Sequence, residues 1–218
     1  KVLVTGGIGG STVPLSSAEL YDPVANTWTT VGNMSVARAH HTATPLAGGK
    51  VLLVGGQTSN GFNGFTATAE LFDPATNQFT TLASTLLRGR WHHEAVRLPS
   101  GNVVIVGGNG EESLRVEVFS TATNTFSVAS GQLGIYRLYT AAAALPDGRV
   151  LISGGTNGDA VASTEIFNPA NGTVVFGPNL TLSRQEHESV TLPNGKILIL
   201  GGRSLNNVPA RIADLFTP

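Results

Sequence analysis

Four arginines recur at nearly constant spacing in this 218-residue chain: Arg38, Arg90, Arg137 and Arg184, separated by 52, 47 and 47 positions. The sites two and three residues after each hold His40 and His41, His92 and His93, Tyr139 and Thr140, then Glu186 and His187. All five histidines of the chain belong to this set. Imidazoles, a phenol and a carboxylate gathered from separate segments would make an N/O donor set for copper or zinc. Cysteine is absent, so thiolate metal sites and disulfides are excluded. If these pairs lie on strands, neighbouring side chains point to opposite faces, and at most one of each pair looks into the same space. The repetition supports a second reading. A structural tie is needed in every copy, whereas a catalytic centre needs asymmetry, so Arg and His in each repeat would bind neighbouring units together through loop carbonyls and acids. One acid per repeat is available for that purpose: Glu19, Glu70, Glu117, Glu165 and Asp214, each flanked by apolar residues. Buried carboxylates in such settings accept hydrogen bonds or pair with arginine. Glu94 and Arg97 occur in one copy only and are candidates for local specificity or for a solvated face.

The elements that must position these residues are short strands. Residues 90–108 (RWHHEAVRLPSGNVVIVGG) have close copies at residues 37–56, 136–155 and 183–202, and a truncated one at residues 1–7. The second half of each copy is a β-branched apolar run with strand preference. Leu-Pro-Ser-Gly, Leu-Pro-Asp-Gly and Leu-Pro-Asn-Gly precede three of these runs, with a polar residue and glycine at the tip of a tight hairpin. A Gly-Gly pair then ends each strand, starting at residues 6, 55, 107, 154 and 201. It predicts a sharp turn or a close backbone approach. Next come a variable loop and the acid-bearing strand (AELYDP, AELFDP, VEVFST, TEIFNP, ADLFTP), then a turn and a fourth strand opened by Trp28, Phe79 or Phe126, with Phe176 arriving late in its copy. These aromatics are expected to pack between repeats. Four short strands, here a to d, therefore recur about every 48 residues with no helical periodicity.

Four-stranded units at this spacing predict an all-β propeller in which each sheet is a blade. The glycine pair, the E-[LVI]-[YF]-[DN]-P strand and the later aromatic resemble kelch repeats, as found also in the central domain of galactose oxidase. The blades are expected at roughly 1–36, 37–83, 84–130, 131–178 and 179–218, within one domain spanning residues 1–218. The first and last are incomplete: the chain enters at strand b and leaves after strand c, giving 18 strands where five full blades need 20. Three arrangements accommodate this: a five-bladed ring, part of a six- or seven-bladed one, or a ring completed by a strand from another chain or further segment. The open edges also admit a homo-oligomer. The resemblance to copper radical oxidases of the galactose oxidase type implies a metal set at His41, His93 and His187 in the third position with Tyr139 in the second. This chain departs from that pattern, because no cysteine is available for a thioether cross-link and no Tyr-His pair occurs in any copy.

The remaining candidates lie in loops. Residues 57–69 carry Phe62 and Phe65 among glycine and asparagine, either as binding anchors or as plugs folded onto the rim. The corresponding loop of the last copy adds Arg203 and Arg211. Charged residues form only 12% of the chain and the formal net charge is −1, which gives no footprint for nucleic acid, and no apolar run is long enough to span a membrane. Low charge with abundant Thr and Asn suggests an extracellular or cell-surface protein. The expected role is a non-catalytic scaffold presenting rim loops to a protein or glycan, without a cofactor. A copper-dependent oxidoreductase built on the histidine set and a subunit of a self-assembling array are the alternatives.

Overall fold

The apolar runs form strands because their β-branched side chains fit a pleated surface, and the polar-Gly tips reverse them at once. Gly101, Gly148 and Gly195 each take positive φ at a hairpin tip. The computed structural model describes residues 1–10, 12–59, 64–109 and 111–218, and among them are eighteen strands and three short 3-10 turns.

The chain divides into two compact units, Lys1–Trp91 and His92–Pro218. The first holds two blades. Blade 1 is the three-stranded sheet β1 (Val2–Thr5), β2 (Ala18–Asp22) and β3 (Thr27–Thr30); blade 2 is β4 (Thr42–Pro45), β5 (Val51–Val54), β6 (Ala69–Asp73) and β7 (Gln78–Thr81). The second unit holds three. Blade 3 is β8 (His93–Arg97), β9 (Val103–Gly107), β10 (Arg115–Ser120) and β11 (Thr125–Gln132). Blade 4 is β12 (Ala141–Ala144), β13 (Val150–Ser153), β14 (Thr164–Asn168) and β15 (Thr173–Phe176), and blade 5 is β16 (Gln185–Thr191), β17 (Ile197–Arg203) and β18 (Asp214–Phe216). Every neighbouring pair is antiparallel and sequential; among the described residues blade 1 comprises strands b to d and blade 5 strands a to c, in the order the sequence predicts. β11 runs two residues past the expected boundary because Arg115 pairs with Gln132 beyond a bulge.

The blades share one register. Val4, Leu53, Ile105, Ile152 and Ile199 on the b strands face Glu19, Glu70, Glu117, Glu165 and Asp214 on the c strands. Apolar faces stack within each unit: Leu53, Phe72 and Met34 against Leu3 and Leu20 in the first, Val104 and Val106 against Val150 and Ile152 in the second. Leu151 and Ile166 continue that stack onto Ile197 and Ile199. The strand-d aromatics differ from expectation. They pair inside their own blade, Trp28 with Tyr21, Phe79 with Phe72 and Phe126 with Phe119, each at 5.0 Å between centroids. These are cross-strand partners facing each other at close spacing. Phe176 instead lies opposite Glu165 and is exposed.

The Gly-Gly pairs mark where the next repeat comes close. The second glycine donates to the carbonyl of the following arginine: Gly7 to Arg38 at 2.9 Å, Gly56 to Arg90 at 2.8 Å, Gly108 to Arg137 at 2.9 Å and Gly155 to Arg184 at 2.8 Å. In blades 1, 3 and 4 the first glycine of the pair has no room for a side chain: a Cβ on Gly154 would strike the Arg184 carbonyl oxygen. Gly154→Ala is therefore expected to destabilise by well over the ~1–2 kcal/mol that left-handed strain alone costs. Gly7→Ala, also at positive φ but with open space around it, should show strain only. Urea denaturation of the two variants checks the difference.

Candidate functional site

The arginine that opens each strand a is buried, and those of blades 2 and 4 donate to at least four acceptor atoms each. Arg38 Nη1 donates to the carbonyls of Gly55 (2.7 Å) and Thr68 (3.1 Å), and Nη2 to Thr68 Oγ1 (3.1 Å) and Glu70 Oε1 (2.7 Å). Blade 4 repeats this: Arg137 reaches Gly154 O at 2.6 Å, Ser163 O at 2.9 Å, Ser163 Oγ at 2.8 Å and Glu165 at 3.1 Å. In blade 5 the shorter Asp214 takes Arg184 Nη2 at 3.0 Å. The second carboxylate oxygen caps the loop before the arginine, accepting from the N–H of Ser35 (2.8 Å) and of Gly134 (2.6 Å), while Asp214 accepts from Thr181 (2.9 Å). Burial pulls the guanidinium pKa of Arg38 and Arg137 down, and the facing Glu70 and Glu165 counter it. Arg90 and Glu117 are likewise buried.

The third position after each arginine is also framework. His41 Nε2 bonds Thr5 Oγ1 of blade 1 at 2.8 Å, and His187 Nε2 bonds Ser153 Oγ of blade 4 at 2.9 Å. Each histidine thus ties its blade to the one before. Both Nδ1 atoms are buried without a partner, which places the ring proton on Nε2, since an unmet acceptor costs less than an unmet N–H. Burial, reinforced by the neighbouring Arg38 or Arg184, lowers both pKa values to about 4. Thr140 fills the same place in blade 4 and donates to Ser153 O at 2.8 Å. His93 is buried at the start of β8, opposite Gly107. The hydroxyl partners Thr5 and Ser153 were legible in principle: they precede Gly-Gly in copies followed by His41 and His187, while Val106 precedes the copy with Thr140.

The second position behaves differently. His40, His92, Tyr139 and Glu186 all adopt positive φ, between 51° and 55°, although none is glycine. Such backbone is strained and concentrates at functional sites. In the first unit His40 rests against Trp91 at 5.5 Å. In the second, the His92 and Tyr139 rings lie 4.1 Å apart, Glu186 N–H donates to the Tyr139 carbonyl at 3.1 Å, and Glu186 Oε2 pairs with Arg203 Nε at 3.2 Å. Burial and the Glu186 carboxylate raise the Tyr139 pKa. His92, Tyr139, Glu186 and Arg203 thus form one continuous polar and aromatic run, with Arg203 further bound to Asn207 Oδ1 at 2.9 Å.

The donor set implied for copper does not fit this arrangement. His41 and His187 turn Nε2 into blade packing, and Tyr139 turns its ring to His92. Among the described residues no three His, Cys, Asp or Glu side chains gather at metal-ligand spacing. Of the loop candidates, Phe62 lies outside the described residues. Phe65 is half-buried, bridged to Gln57 and packed so closely over Gly89 that a Cβ there would lie 2.8 Å from the Phe65 carbonyl oxygen. Its ring also packs against Gly89. Arg211 is exposed. Glu94, half-buried on β8, is pushed up to about 8 by burial and by the charge of Glu188. Arg97, at the end of β8, lines a ≈570 Å³ cavity with Leu98, Pro99, Leu145, Pro146 and Thr191.

Sheets of this order, pinned by a buried arginine at each inner strand, define a β-propeller of sequential antiparallel blades. The Kelch motif family matches residues 1–35 and 38–85, the two blades of the first unit. No curated protein matches the sequence. A solved structure titled "Structure of YjhT" superposes with a TM-score of 0.80 over 99% of this chain and 78% of that one, at 16% identity, a likeness of fold. The chain is built of propeller blades, and its first two carry Kelch motifs.

Two outcomes follow from the buried groups. Arg137→Ala leaves Glu165 buried and unpaired and is expected to cost about 3–5 kcal/mol, whereas Arg137→Met with Glu165→Leu recovers most of it; chemical denaturation of both variants measures this. The pH profile should peak close to pH 6.5. Below it the unfolded chain takes up protons at His41 and His187 that the folded one does not accept until about pH 4, so stability falls on acidification. Above it the unfolded chain has lost the Glu94 proton that the folded one keeps up to about pH 8, so stability falls on alkalinisation. Thermal melts from pH 4.5 to 8.5 should show His187→Gln flattening the acid limb and Glu94→Gln the alkaline one.

Proposed function

We propose that the chain is a binding scaffold whose recognition surface is built on the second position after each arginine and extended by the adjoining loops, and that it engages a protein or glycan without catalysing a reaction. One observation carries this reading: a non-glycine residue is held at positive φ in the same place in four copies, each time with a different environment and in three chemical types, imidazole, phenol and carboxylate. The framework needs the arginine and the acid to repeat. It does not need His, Tyr and Glu to alternate beside them, so the strain there is tied to what those side chains meet. The run His92, Tyr139, Glu186 and Arg203 offers an aromatic edge beside a paired acid and guanidinium, suited to hydroxyl-rich or mixed polar ligands. Low charge over the chain supports recognition by shape and hydrogen bonding rather than by long-range attraction.

The test pairs an array of defined glycans with elemental analysis. Retention of a glycan by the native chain, weakened at least tenfold by Tyr139→Ala or Arg203→Ala with unchanged melting temperature, supports the scaffold and names its ligand. One tightly held copper per chain after dialysis against the metal, lost in His187→Ala, overturns it in favour of an oxidoreductase.

A further inference from the structure

The inner strands of the second unit run into three like hairpins. Eight residues after the framework arginine of each blade stands Leu98, Leu145 or Leu192, and nine after it Pro99, Pro146 or Pro193. The position seven after it is not uniform: Arg97 in blade 3, Ala144 in blade 4 and Thr191 in blade 5. Those three residues line one cavity of ≈570 Å³, walled otherwise by Leu98, Pro99, Leu145 and Pro146. Its frame is tightly set. Leu98 and Leu145 are buried, Thr191 Oγ1 donates to the Ala144 carbonyl at 3.0 Å, and Gly195 sits so close to Pro146 that a Cβ there would lie 2.8 Å from the proline ring.

Arg97 supplies the charge of this wall. Its guanidinium is exposed, keeps its proton at any pH near neutrality, and among the described residues has neither an ionic nor a hydrogen-bonding partner. The acid that these hairpins hold is already taken: Asp147 Oδ2 accepts from Arg149 Nε at 2.6 Å and Oδ1 from the Arg149 N–H at 3.0 Å. Over residues 97–102, 144–149 and 191–196 the cations Arg97, Arg149 and Lys196 stand against Asp147 alone, a charge of +2 within a chain of net −1. An unmet positive charge therefore borders an apolar cavity.

We propose that this cavity is a binding site for a compact carboxylic acid, its carboxylate met by the Arg97 guanidinium and its apolar body laid on Leu98, Pro99, Leu145 and Pro146. The planar fork of arginine matches the two oxygens of a carboxylate. A phosphate brings a second charge, which a largely apolar wall penalises. Ala144 leaves the space, because a longer side chain at that position would occupy it. The wall also selects a small molecule over an extended peptide. The N–H groups of Leu98 and Leu145 donate to the Asn102 and Arg149 carbonyls at 2.8 Å, their own carbonyls accept from Gly101 and Gly148 at 2.9 Å, and proline has no N–H, so these residues leave no row of backbone groups for a chain to pair with. The volume lies in the range of roughly 300–1,000 Å³ typical of small-molecule pockets. Arg97 and Ala144 end β8 and β12, whereas His92 and Tyr139 precede those strands. The site is separate from the surface of the proposed function and does not rest on it.

Hydrocinnamate serves as the probe and hydrocinnamamide as its uncharged counterpart, each titrated into the whole 218-residue chain while backbone amide NMR shifts are followed. Hydrocinnamate is expected to saturate one site with a dissociation constant on the order of 1 mM, with shifts centred on residues 97–102 and 144–149. The amide should bind at least fivefold more weakly. Arg97→Gln should weaken hydrocinnamate at least fivefold, with unchanged melting temperature and unchanged binding of the amide, because the Arg97 side chain holds nothing in the free chain. Ala144→Leu should weaken both probes; should that variant fail to fold, the comparison of acid with amide and the Arg97→Gln titration decide alone. Absence of saturable shifts, equal affinity for acid and amide, unchanged binding by Arg97→Gln, or shifts centred on His92, Tyr139 and Glu186 would overturn the proposal. A hexapeptide ending in a free phenylalanine carboxylate that binds at least tenfold more tightly than hydrocinnamate would assign the cavity to a polypeptide terminus and also overturn it.

Discussion

A guanidinium held in a dry blade is the constraint from which the rest of this structure follows. Removing an ion pair from water is expensive, and attraction between the partners alone does not offset it. The remaining donors must therefore be met, and for Arg38 and Arg137 the fold meets them with groups that lie on different elements. Arg38 is bonded to the end of β5 through Gly55, to the approach to β6 through Thr68 and to β6 itself through Glu70, while Glu70 also holds the loop at Ser35. A single side chain thus sets the spacing of three strands and the loop that enters them. Arg137 does the same in blade 4. The two sequence features that look like separate motifs, the glycine pair and the E-[LVI]-[YF] strand, are the two sides of one guanidinium site.

The backbone of the same arginine explains the contact between blades. With its side chain turned into its own sheet, its carbonyl points back to the preceding repeat, where the second glycine of the pair donates to it. A side chain on the first glycine would collide with that carbonyl in blades 1 and 4, so glycine there is required by proximity as well as by positive φ. The third residue after the arginine then reaches the hydroxyl that ends the preceding strand b, through His41 in one unit and His187 in the other. Side-chain and backbone ties of this kind recur with the repeat. They explain why three histidine-containing copies can look like a ligand set while His41 and His187 tie one blade to the next.

Most of the fold is legible in the sequence because each of these ties demands a residue type at a fixed offset. Gly-Gly, Arg and the acid recur because positive φ, a close carbonyl and a buried guanidinium recur with them, and Leu-Pro-Asp-Gly turns announce their hairpins. The site is less legible for a physical reason. Positive φ usually betrays itself through glycine or asparagine, but His92, Tyr139 and Glu186 carry no such mark, and strand alternation alone would have separated the histidine pairs without placing either member. The split does occur, yet a left-handed residue rather than the pleat produces it. Phe65 was ambiguous because a half-buried plug and an exposed anchor have the same composition; only its fit over Gly89 separates them. The partners Trp28 with Tyr21 and Phe79 with Phe72 needed the register between strands c and d, which depends on the turn joining them.

Within a repeat array, function is read where the pattern stops being uniform. The arginine does not vary and the acid varies only between Glu and Asp, with Arg184 still meeting the shorter Asp214 at 3.0 Å. The third position varies between His and Thr, and Thr140 satisfies it by bonding within its own blade instead of to the one before. The second position varies in charge, size and hydrogen-bonding character, yet its strained backbone does not vary at all. A conformation that costs free energy in every copy, with a side chain that the frame leaves unspecified, separates the energetic requirement of the fold from the chemical content of the surface. The fold fixes where His92, Tyr139 and Glu186 stand; what they are is free to follow a ligand.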